Sequence, residues 1–428
     1  MRPFPRDRAV LAFVCVFAAT FAALPTTTVA QTSPGTVIFS RYTYDSSNLP
    51  TGASILSISG NGLNEKQLTS PVQGQFDVPS VSGFYDNWLT NAFNSKGSYS
   101  VFLRASYSNQ TGFTSGKYFI VSAYGVRTPQ MFPGANDLQD PSVGQGFGSV
   151  SWGPANNDQI AYANVADQHT TGAHPSCVRL MQSTGANDHV LWCADRWNYW
   201  GIEGIRWAGN GGSLLVYAVT THDDLYSDLY LINASTGAAT LIVKNVISPH
   251  NGGGAGDISY DGHEVIFWAV SETTDPVCAP PRTTGGTTWC ARNVQTGQSV
   301  ALVDPTNVVS FIPYELTRIS PDGSQAFLIG VNTTFGLQQS DWELYDVKTD
   351  GSGFNKISSP CVPLDPSNTD LLTWNPVRVS PDGTRVLANC RHKTSSGVVD
   401  DQIWILSASG GSGTRVTDNG VAYDWNVQ

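Results

Sequence analysis

Histidine is the residue type in this 428-residue sequence that most directly suggests metal chemistry. Neutral imidazole is a common ligand of divalent metal ions. Four histidines lie in loops between predicted strands, namely His169, His174, His222 and His250. No two of them have the close spacing of a compact ligand set on one helix or strand. We therefore expect no cofactor, with a divalent metal on these four histidines as the alternative.

The densest aromatic cluster is Asp195-Arg196-Trp197-Asn198-Tyr199-Trp200-Gly201. Flat rings beside acidic, amide and guanidinium groups can stack on a sugar or anchor a protein partner. The competing interpretation is that the rings pack inside the fold. Other aromatic and acidic residues stand at comparable positions near the start of predicted strands. The candidate ligand-binding residues are Trp88, Asp195, Arg196, Trp197, Tyr199, Trp200, Glu203, Tyr314, Glu315 and Trp374.

Hydrolase and nucleotide-binding signatures are absent from the sequence. It contains no Gly-x-Ser-x-Gly elbow, no His-Glu-x-x-His and no phosphate-binding glycine loop. We therefore assign no catalytic residue and favour a protein that binds over one that catalyses.

A repeated tight turn is the strongest structural signal in the chain. Ser320-Pro321-Asp322-Gly323 returns as Ser380-Pro381-Asp382-Gly383 sixty residues later, and Ser259-Tyr260-Asp261-Gly262 is a partial copy about sixty residues earlier. Pro presets φ, Asp bonds back to the backbone, and Gly takes a positive φ, so each copy predicts a β-hairpin. Hairpins at a near-constant spacing indicate a repeat architecture.

Strand-like runs between the turns group into seven units of four. The unit that begins at Thr36 lacks an innermost strand, while the final stretch Val421–Gln428 resembles an innermost strand with nothing after it. The unit over residues 86–132 is the most degenerate. We therefore predict an all-β, seven-bladed β-propeller closed by the C-terminal strand joining the N-terminal blade, with six or eight blades as alternatives.

The Ser-Pro-Asp-Gly hairpins resemble those of the TolB-like, WD40-like β-propeller family, over roughly residues 36–428. Such propellers include periplasmic scaffolds that bind proteins, domains that guard peptidase active sites, and pectin-degrading lyases that hold a metal on histidines inside the ring. The resemblance therefore implies a fold and leaves the function open. The enzyme alternative is a metal-assisted polysaccharide lyase or hydrolase acting in the central funnel, with Asp195 or Glu203 as acids.

The N-terminal thirty residues predict a signal peptide. Three arginines precede an apolar run from Ala9 to Leu24, and small residues lead to a cleavage site near Ala30. The mature chain, residues 31–428, is then one propeller domain that is secreted or periplasmic. Of seven cysteines, six remain after cleavage, and their spacing favours the local pairs Cys177–Cys193, Cys278–Cys290 and Cys361–Cys390 among fifteen possible pairings.

The net charge of −11 argues against nucleic acid and anionic lipid as partners. We expect a monomeric mature chain that does not insert into a membrane. We expect it to recognise a protein or a glycan through the loops at the start of the innermost strands, which we call the upper face. A purely structural role in a cell envelope or wall stays open.

Overall fold

The computed structural model describes most of the chain after the predicted signal peptide, which lies outside the described residues. The described residues are 35–46, 50–70, 72–78, 92–94, 96–108, 112–125, 129–131, 150–154, 158–164, 176–195, 197–220, 225–249, 256–280, 287–303, 311–332, 341–357, 371–394, 397–411 and 413–426. Within these ranges, no helix is long and apolar enough to cross a membrane.

The regular structure of the described residues consists of β-strands. In chain order they are β1 (Thr36–Tyr44), β2 (Pro50–Ser59), β3 (Lys66–Gln67), β4 (Gln75–Val78), β5 (Tyr99–Ser108), β6 (Gly112–Ser122), β7 (Gln130–Met131), β8 (Val150–Trp152), β9 (Gln159–Asn164), β10 (Cys177–Gln182), β11 (His189–Cys193), β12 (Tyr199–Trp207), β13 (Ser213–Thr220), β14 (Tyr226–Asn233), β15 (Ala239–Ile247), β16 (Asp257–Ile258), β17 (Glu264–Ala269), β18 (Thr288–Asn293), β19 (Ser299–Ala301), β20 (Phe311–Ile319), β21 (Gln325–Asn332), β22 (Asp341–Lys348), β23 (Asn355–Lys356), β24 (Leu371–Val379), β25 (Arg385–Thr394), β26 (Gly397–Ser407), β27 (Thr414–Thr417) and β28 (Val421–Asn426).

These strands form seven consecutive antiparallel groups, each ordered from an innermost to an outermost strand. From the first to the seventh they are β28-β1-β2-β3, a group built on β5-β6-β7, β8 to β11, β12 to β15, β16 to β19, β20 to β23, and β24 to β27. The chain is therefore an all-β propeller, as the repeated turns predict.

The two ends of the chain share the first sheet. β28 pairs antiparallel with β1, and Thr36, Val37 and Ile38 lie opposite Asn426, Trp425 and Asp424. The C-terminal strand thus takes the innermost place that the first unit lacks in sequence. This arrangement leaves no open sheet edge at the junction of the chain ends.

Hydrophobic clusters fill the space between neighbouring sheets. Successive side chains of a strand point to opposite faces, so each sheet packs on both sides. In the first sheet, Ile38 packs with Phe102 of the second, whereas Val37 and Phe39 pack with Leu387 of the seventh. Equivalent clusters join every other consecutive pair. The sheets therefore form a ring in which the seventh contacts the first.

The predicted turn chemistry is present in the structure. The hydroxyl of Ser320 donates to Oδ1 of Asp322 at 2.5 Å, the N–H of Gln325 donates to that hydroxyl at 2.9 Å, and Gly323 has φ of 73°. The second full copy and the partial copy repeat both hydrogen bonds. The motif therefore orients the last residues of each innermost strand through a rigid, locally bonded turn.

The second sheet has more than one described segment in its innermost place. Here two segments share that place. Residues 92–94 pair with one end of β5 through a bridge from Phe93 to Ser100, and β4 pairs with the other end from Leu103 to Ser106. The physical reason is length, because the ten-residue β5 would otherwise leave half of its edge unpaired.

Two of the predicted disulfides, Cys177–Cys193 and Cys278–Cys290, are confirmed. Cys390 is buried and also disulfide-bonded, but its predicted partner Cys361 lies outside the described residues. The two bridges are consistent with an extracytoplasmic location, because structural disulfides persist in oxidising compartments.

Replacing Cys177 and Cys193 together by Ser is expected to lower the free energy of unfolding by about 3 kcal/mol. The bridge closes a loop with a sequence separation of 16 residues, and such a loop constrains the unfolded chain by about that amount. Urea denaturation checks the value, with Val190→Ser, at an exposed position of the same hairpin, as the near-neutral control. A loss below about 1 kcal/mol would contradict this expectation.

Candidate functional site

Charged side chains recur at one position of the innermost strands, two residues before the first turn in six groups and at the corresponding position of β28 in the first. Five of the seven groups carry a charge there, namely Arg206, Asp257, Arg318, Arg378 and Asp424, while the other two carry Ala92 and Ser151. All five charged residues line one cavity of about 310 Å³. Because innermost strands surround the propeller axis, we call this space the axial cavity.

The rim of the axial cavity is formed by the turns that follow the innermost strands, through the second residue of each turn. Five of them line it, namely Pro154, Gly209, Tyr260, Pro321 and Pro381. Tyr260 replaces the proline of the full motif, and its side chain is 52% exposed. The cavity therefore opens on the face that carries the first turns, with a rigid and largely apolar rim.

Both aspartates of the axial cavity are held by backbone N–H groups. Oδ2 of Asp257 accepts the N–H of Ile319 at 3.1 Å, and Oδ2 of Asp424 accepts the N–H of Phe93 at 2.9 Å. Oδ1 of Asp424 also accepts the N–H of Trp425 at 2.8 Å. Each carboxylate thus connects its own sheet to the next sheet of the ring.

Arg318 makes the corresponding contact with a guanidinium group. Its Nε donates to the carbonyl of Val377 in the next sheet at 2.6 Å, and its Nη1 donates to the carbonyl of Thr317 at 2.7 Å. Burial, together with repulsion from Arg206 and Arg378, lowers the pKa of Arg318 to about 9. Arg318 therefore stays charged at neutral pH and holds two sheets together.

Arg206 and Arg378 each lie near an aspartate that compensates their charge, at a distance too long for a hydrogen bond. Nη1 of Arg206 lies 3.6 Å from Oδ1 of Asp257, and Nε of Arg378 lies 3.8 Å from Oδ1 of Asp424, both beyond hydrogen-bond length. Nε and Nη2 of Arg206 have no hydrogen-bond partner among the described residues. Burial also lowers the pKa of Arg206. Arg206 thus brings to the cavity two cationic donors that the described residues do not satisfy.

The predicted upper-face residues lie at the other end of the innermost strand of the fourth sheet. The carboxylate of Asp195 accepts hydrogen bonds from the N–H of Trp197 at 3.1 Å and from the amide of Asn198 at 2.7 Å, so it closes a local turn. The ring of Trp197 is 74% exposed. Of this cluster, Trp197 therefore offers the clearest contact surface.

The side chains of Tyr199 and Glu203 form hydrogen bonds with residues of the fourth sheet and of the segment that follows it. The Tyr199 hydroxyl donates to Oδ2 of Asp228 at 2.8 Å, and its ring meets that of Tyr230 edge to face. Oε2 of Glu203 accepts the hydroxyl of Ser248 at 2.9 Å. These contacts favour the packing interpretation for both side chains.

The structure places Trp374 away from the rim, contrary to the expectation from sequence. Its ring is fully buried between the sixth and seventh sheets and meets Trp404 edge to face. The reason is that Trp374 lies within β24, where side chains alternate between two packed sides. The side chains of the remaining candidates lie outside the described residues, namely Trp88, Arg196, Trp200, Tyr314 and Glu315.

The predicted metal ligands His169, His174, His222 and His250 also lie outside the described residues. Among the residues that the structure describes, no group of three or more His, Cys, Asp or Glu side chains is arranged to hold a metal ion. The divalent-metal alternative therefore stays a prediction from sequence.

Sequence analysis did not identify the charged residues of the axial cavity. The available signal was the residue two places before each turn, since Arg318 and Arg378 occupy the same place in the two full repeats. Its meaning depends on ring closure, which brings residues more than 200 positions apart to one axis.

Comparison with known proteins supports the fold. No protein-family model and no curated protein matches the chain. The β-propeller domain of the Trilobed protease from Pyrococcus furiosus is similar with a TM-score of 0.52 and 8% identity, over 91% of this chain and 94% of that chain. Prolyl oligopeptidase B from Galerina marginata is similar with a TM-score of 0.51 and 9% identity, over 92% of this chain and 52% of that chain.

A putative TolB from Agrobacterium tumefaciens is also similar, with a TM-score of 0.41 and 12% identity over 91% of both chains. The two neighbours with TM-scores of 0.52 and 0.51 show the β-propeller fold alone, because they are less than 10% identical to this chain. Membership of the TolB-like family stays a prediction, and function must be argued from the site.

Proposed function

We propose that the chain is an exported binding propeller that recognises a protein or a glycan partner. The observation that carries this proposal is the axial cavity, which Arg378 lines and where Arg206 has two donors that the described residues do not satisfy. A concave site with a few convergent polar groups and an apolar rim is the usual form of a ligand pocket. The partner docks on the face of the first turns, and one of its groups enters the cavity.

Export rests on the predicted signal peptide, with cleavage near Ala30, and is supported by the disulfides. The proposed mature chain is a monomer that binds neither nucleic acid nor lipid, in keeping with its acidic charge.

The upper face is the second candidate surface for the same function. The highly exposed ring of Trp197 favours it, because Trp is among the residues that dominate binding energies. The metal-assisted lyase or hydrolase has no such supporting observation, since its histidines lie outside the described residues.

A binding screen on matched variants tests the proposal. Labelled mature protein is applied to glycan and peptide arrays, together with the Tyr260→Ala and Trp197→Ala variants, which remove one exposed ring from each face. We expect Tyr260→Ala to weaken binding by about 30-fold, as for a hot-spot residue, and Trp197→Ala to leave it unchanged. Equal melting temperatures serve as the folding control.

The opposite pattern would move the site to the upper face. Absence of binding by wild-type protein to either class of ligand would contradict the proposed function.

A further inference from the structure

Resting on the binding function proposed above, we propose that the axial cavity holds a carboxylate, the C-terminal carboxylate of a peptide or protein partner, between the guanidinium groups of Arg206 and Arg378. Both arginines line the cavity, together with Asp257 and Asp424. The proposal follows from three properties of the cavity, which are its unsatisfied donors, its charge and the chemistry of its rim.

The unsatisfied donors match the geometry of a carboxylate. Nε and Nη2 of Arg206 lack a partner among the described residues, although the side chain is only 6% exposed. The same two donors bind carboxylates elsewhere in this chain, where Arg104 holds Asp77 at 2.7 and 2.9 Å and Arg391 holds Asp401 at 2.5 and 3.2 Å. A parallel N–H pair binds both oxygens of a carboxylate at once.

The neighbouring aspartate does not satisfy these donors. Oδ2 of Asp257 accepts the N–H of Ile319, and its Oδ1 stays 3.6 Å from Nη1 of Arg206. A buried donor without an acceptor is unfavourable, so a carboxylate supplied from outside the chain would be bound strongly.

The charge of the cavity favours a singly charged ligand. Among the described residues, three arginines and two aspartates line it, which leaves one positive charge in excess. A monoanion neutralises this excess. A phosphate dianion would exceed it and would meet repulsion from Asp257 and Asp424. The two aspartates therefore favour a monoanion such as a carboxylate over the phosphate dianion.

The rim favours a peptide as the source of the carboxylate. Pro154, Pro321 and Pro381 have neither a backbone N–H nor a polar side chain, so they offer apolar contact to aliphatic side chains. A sugar acid would need hydrogen-bonding partners for its several hydroxyl groups; the prolines supply none, and Asn94, Tyr260 and Asn426 supply only a few. The cavity of about 310 Å³ is at the lower end for ligand pockets and suits a terminal residue.

Thermal unfolding with small probes tests the inference. The mature protein is titrated at pH 7 and constant ionic strength with N-acetyl-leucine, N-acetyl-leucinamide, glucuronate and phosphate. We expect a saturable rise in Tm with N-acetyl-leucine and at least about 10-fold weaker binding of the other three probes. N-acetyl-leucinamide in particular lacks the charge that pairs with Arg206. Stronger binding of glucuronate or phosphate would overturn the assignment to a peptide terminus.

The Arg206→Met variant separates a ligand-binding role from a structural role. If the guanidinium is kept for a ligand, the variant loses the response to N-acetyl-leucine while its ligand-free Tm stays equal or rises, since unsatisfied buried donors are removed. A fall in the ligand-free Tm would identify Arg206 as a structural contact and overturn the inference. Lys356→Gln, which removes an exposed cation on β23, should keep the wild-type response.

Arg378→Gln gives a second variant at a position whose side chain is 40% exposed, where misfolding is not expected. It should weaken binding of N-acetyl-leucine by about 10-fold. If no probe shifts the Tm while the arrays detect a partner that depends on Tyr260, the carboxylate inference fails and the proposed function stands.

Discussion

Replacing Asp401 by Ala is expected to lower the free energy of unfolding by about 3–5 kcal/mol. Asp401 and Arg391 face each other across β25 and β26 and form a two-point ion pair at 2.5 and 3.2 Å. Their side chains are only 7% and 4% exposed. The substitution would leave a buried guanidinium without its counter-charge, and this desolvation penalty causes the loss.

The pair lies where the seventh sheet meets the first. The charges of Arg391 and Asp401 both act on the hydroxyl of Tyr42 in β1, whose pKa is raised to about 12 mainly by burial. Asp401 also accepts the N–H of Gly420 through its carbonyl, just before β28. A loss of the ion pair is therefore expected to weaken the junction of the two chain ends.

A matched ion pair at the surface provides the control for Asp401→Ala. Arg41 and Glu65 also form a two-point ion pair, through Nη1 and Nη2 at 2.6 and 2.8 Å, but their side chains are 27% and 37% exposed. Glu65→Ala should lower the free energy of unfolding by about 0.2–1 kcal/mol, since solvent screens an exposed pair. Urea denaturation measures both variants. Equal losses would show that burial does not set the strength of these pairs.

The repeat architecture was predictable because the turn motif is local. Ser320, Asp322 and Gly323 bond among themselves and with the next strand, so their identities report the backbone conformation directly. The role of the C-terminal strand was also predictable, since an innermost strand without followers and a unit without an innermost strand complement each other. By contrast, β4 carries no turn motif, and its pairing with β5 depends on tertiary contacts.

The candidate site was much less predictable than the fold. A residue such as Trp374 looks like a ligand contact in sequence, because aromatic side chains serve binding and packing equally well. Only the position of β24 between two sheets decides that its ring is buried. The arginines of the axial cavity show the opposite case. In sequence they look like ordinary strand residues, and only the closed ring brings them together.

Replacing Asn389 by Ala is expected to lower the free energy of unfolding by about 2–6 kcal/mol and to loosen β28. The Asn389 amide donates to the carbonyl of Ala422 at 2.9 Å and accepts the N–H of Ala422 at 2.8 Å, and all three groups are buried. Ala in this position would leave two backbone groups of β28 without partners, each at a cost of about 1–3 kcal/mol. Because β28 joins the chain ends, we expect faster amide exchange over residues 421–426.

Hydrogen exchange and urea denaturation of the same samples check this expectation. Asn61→Ala is the control, since the exposed Asn61 side chain accepts the N–H of Leu63 two residues away, and it should change stability by less than about 0.5 kcal/mol. If Asn389→Ala destabilises the protein without faster exchange in β28, the loss is spread over the seventh sheet. If neither quantity changes, pairing with β1 and packing of Trp425 are sufficient to close the ring.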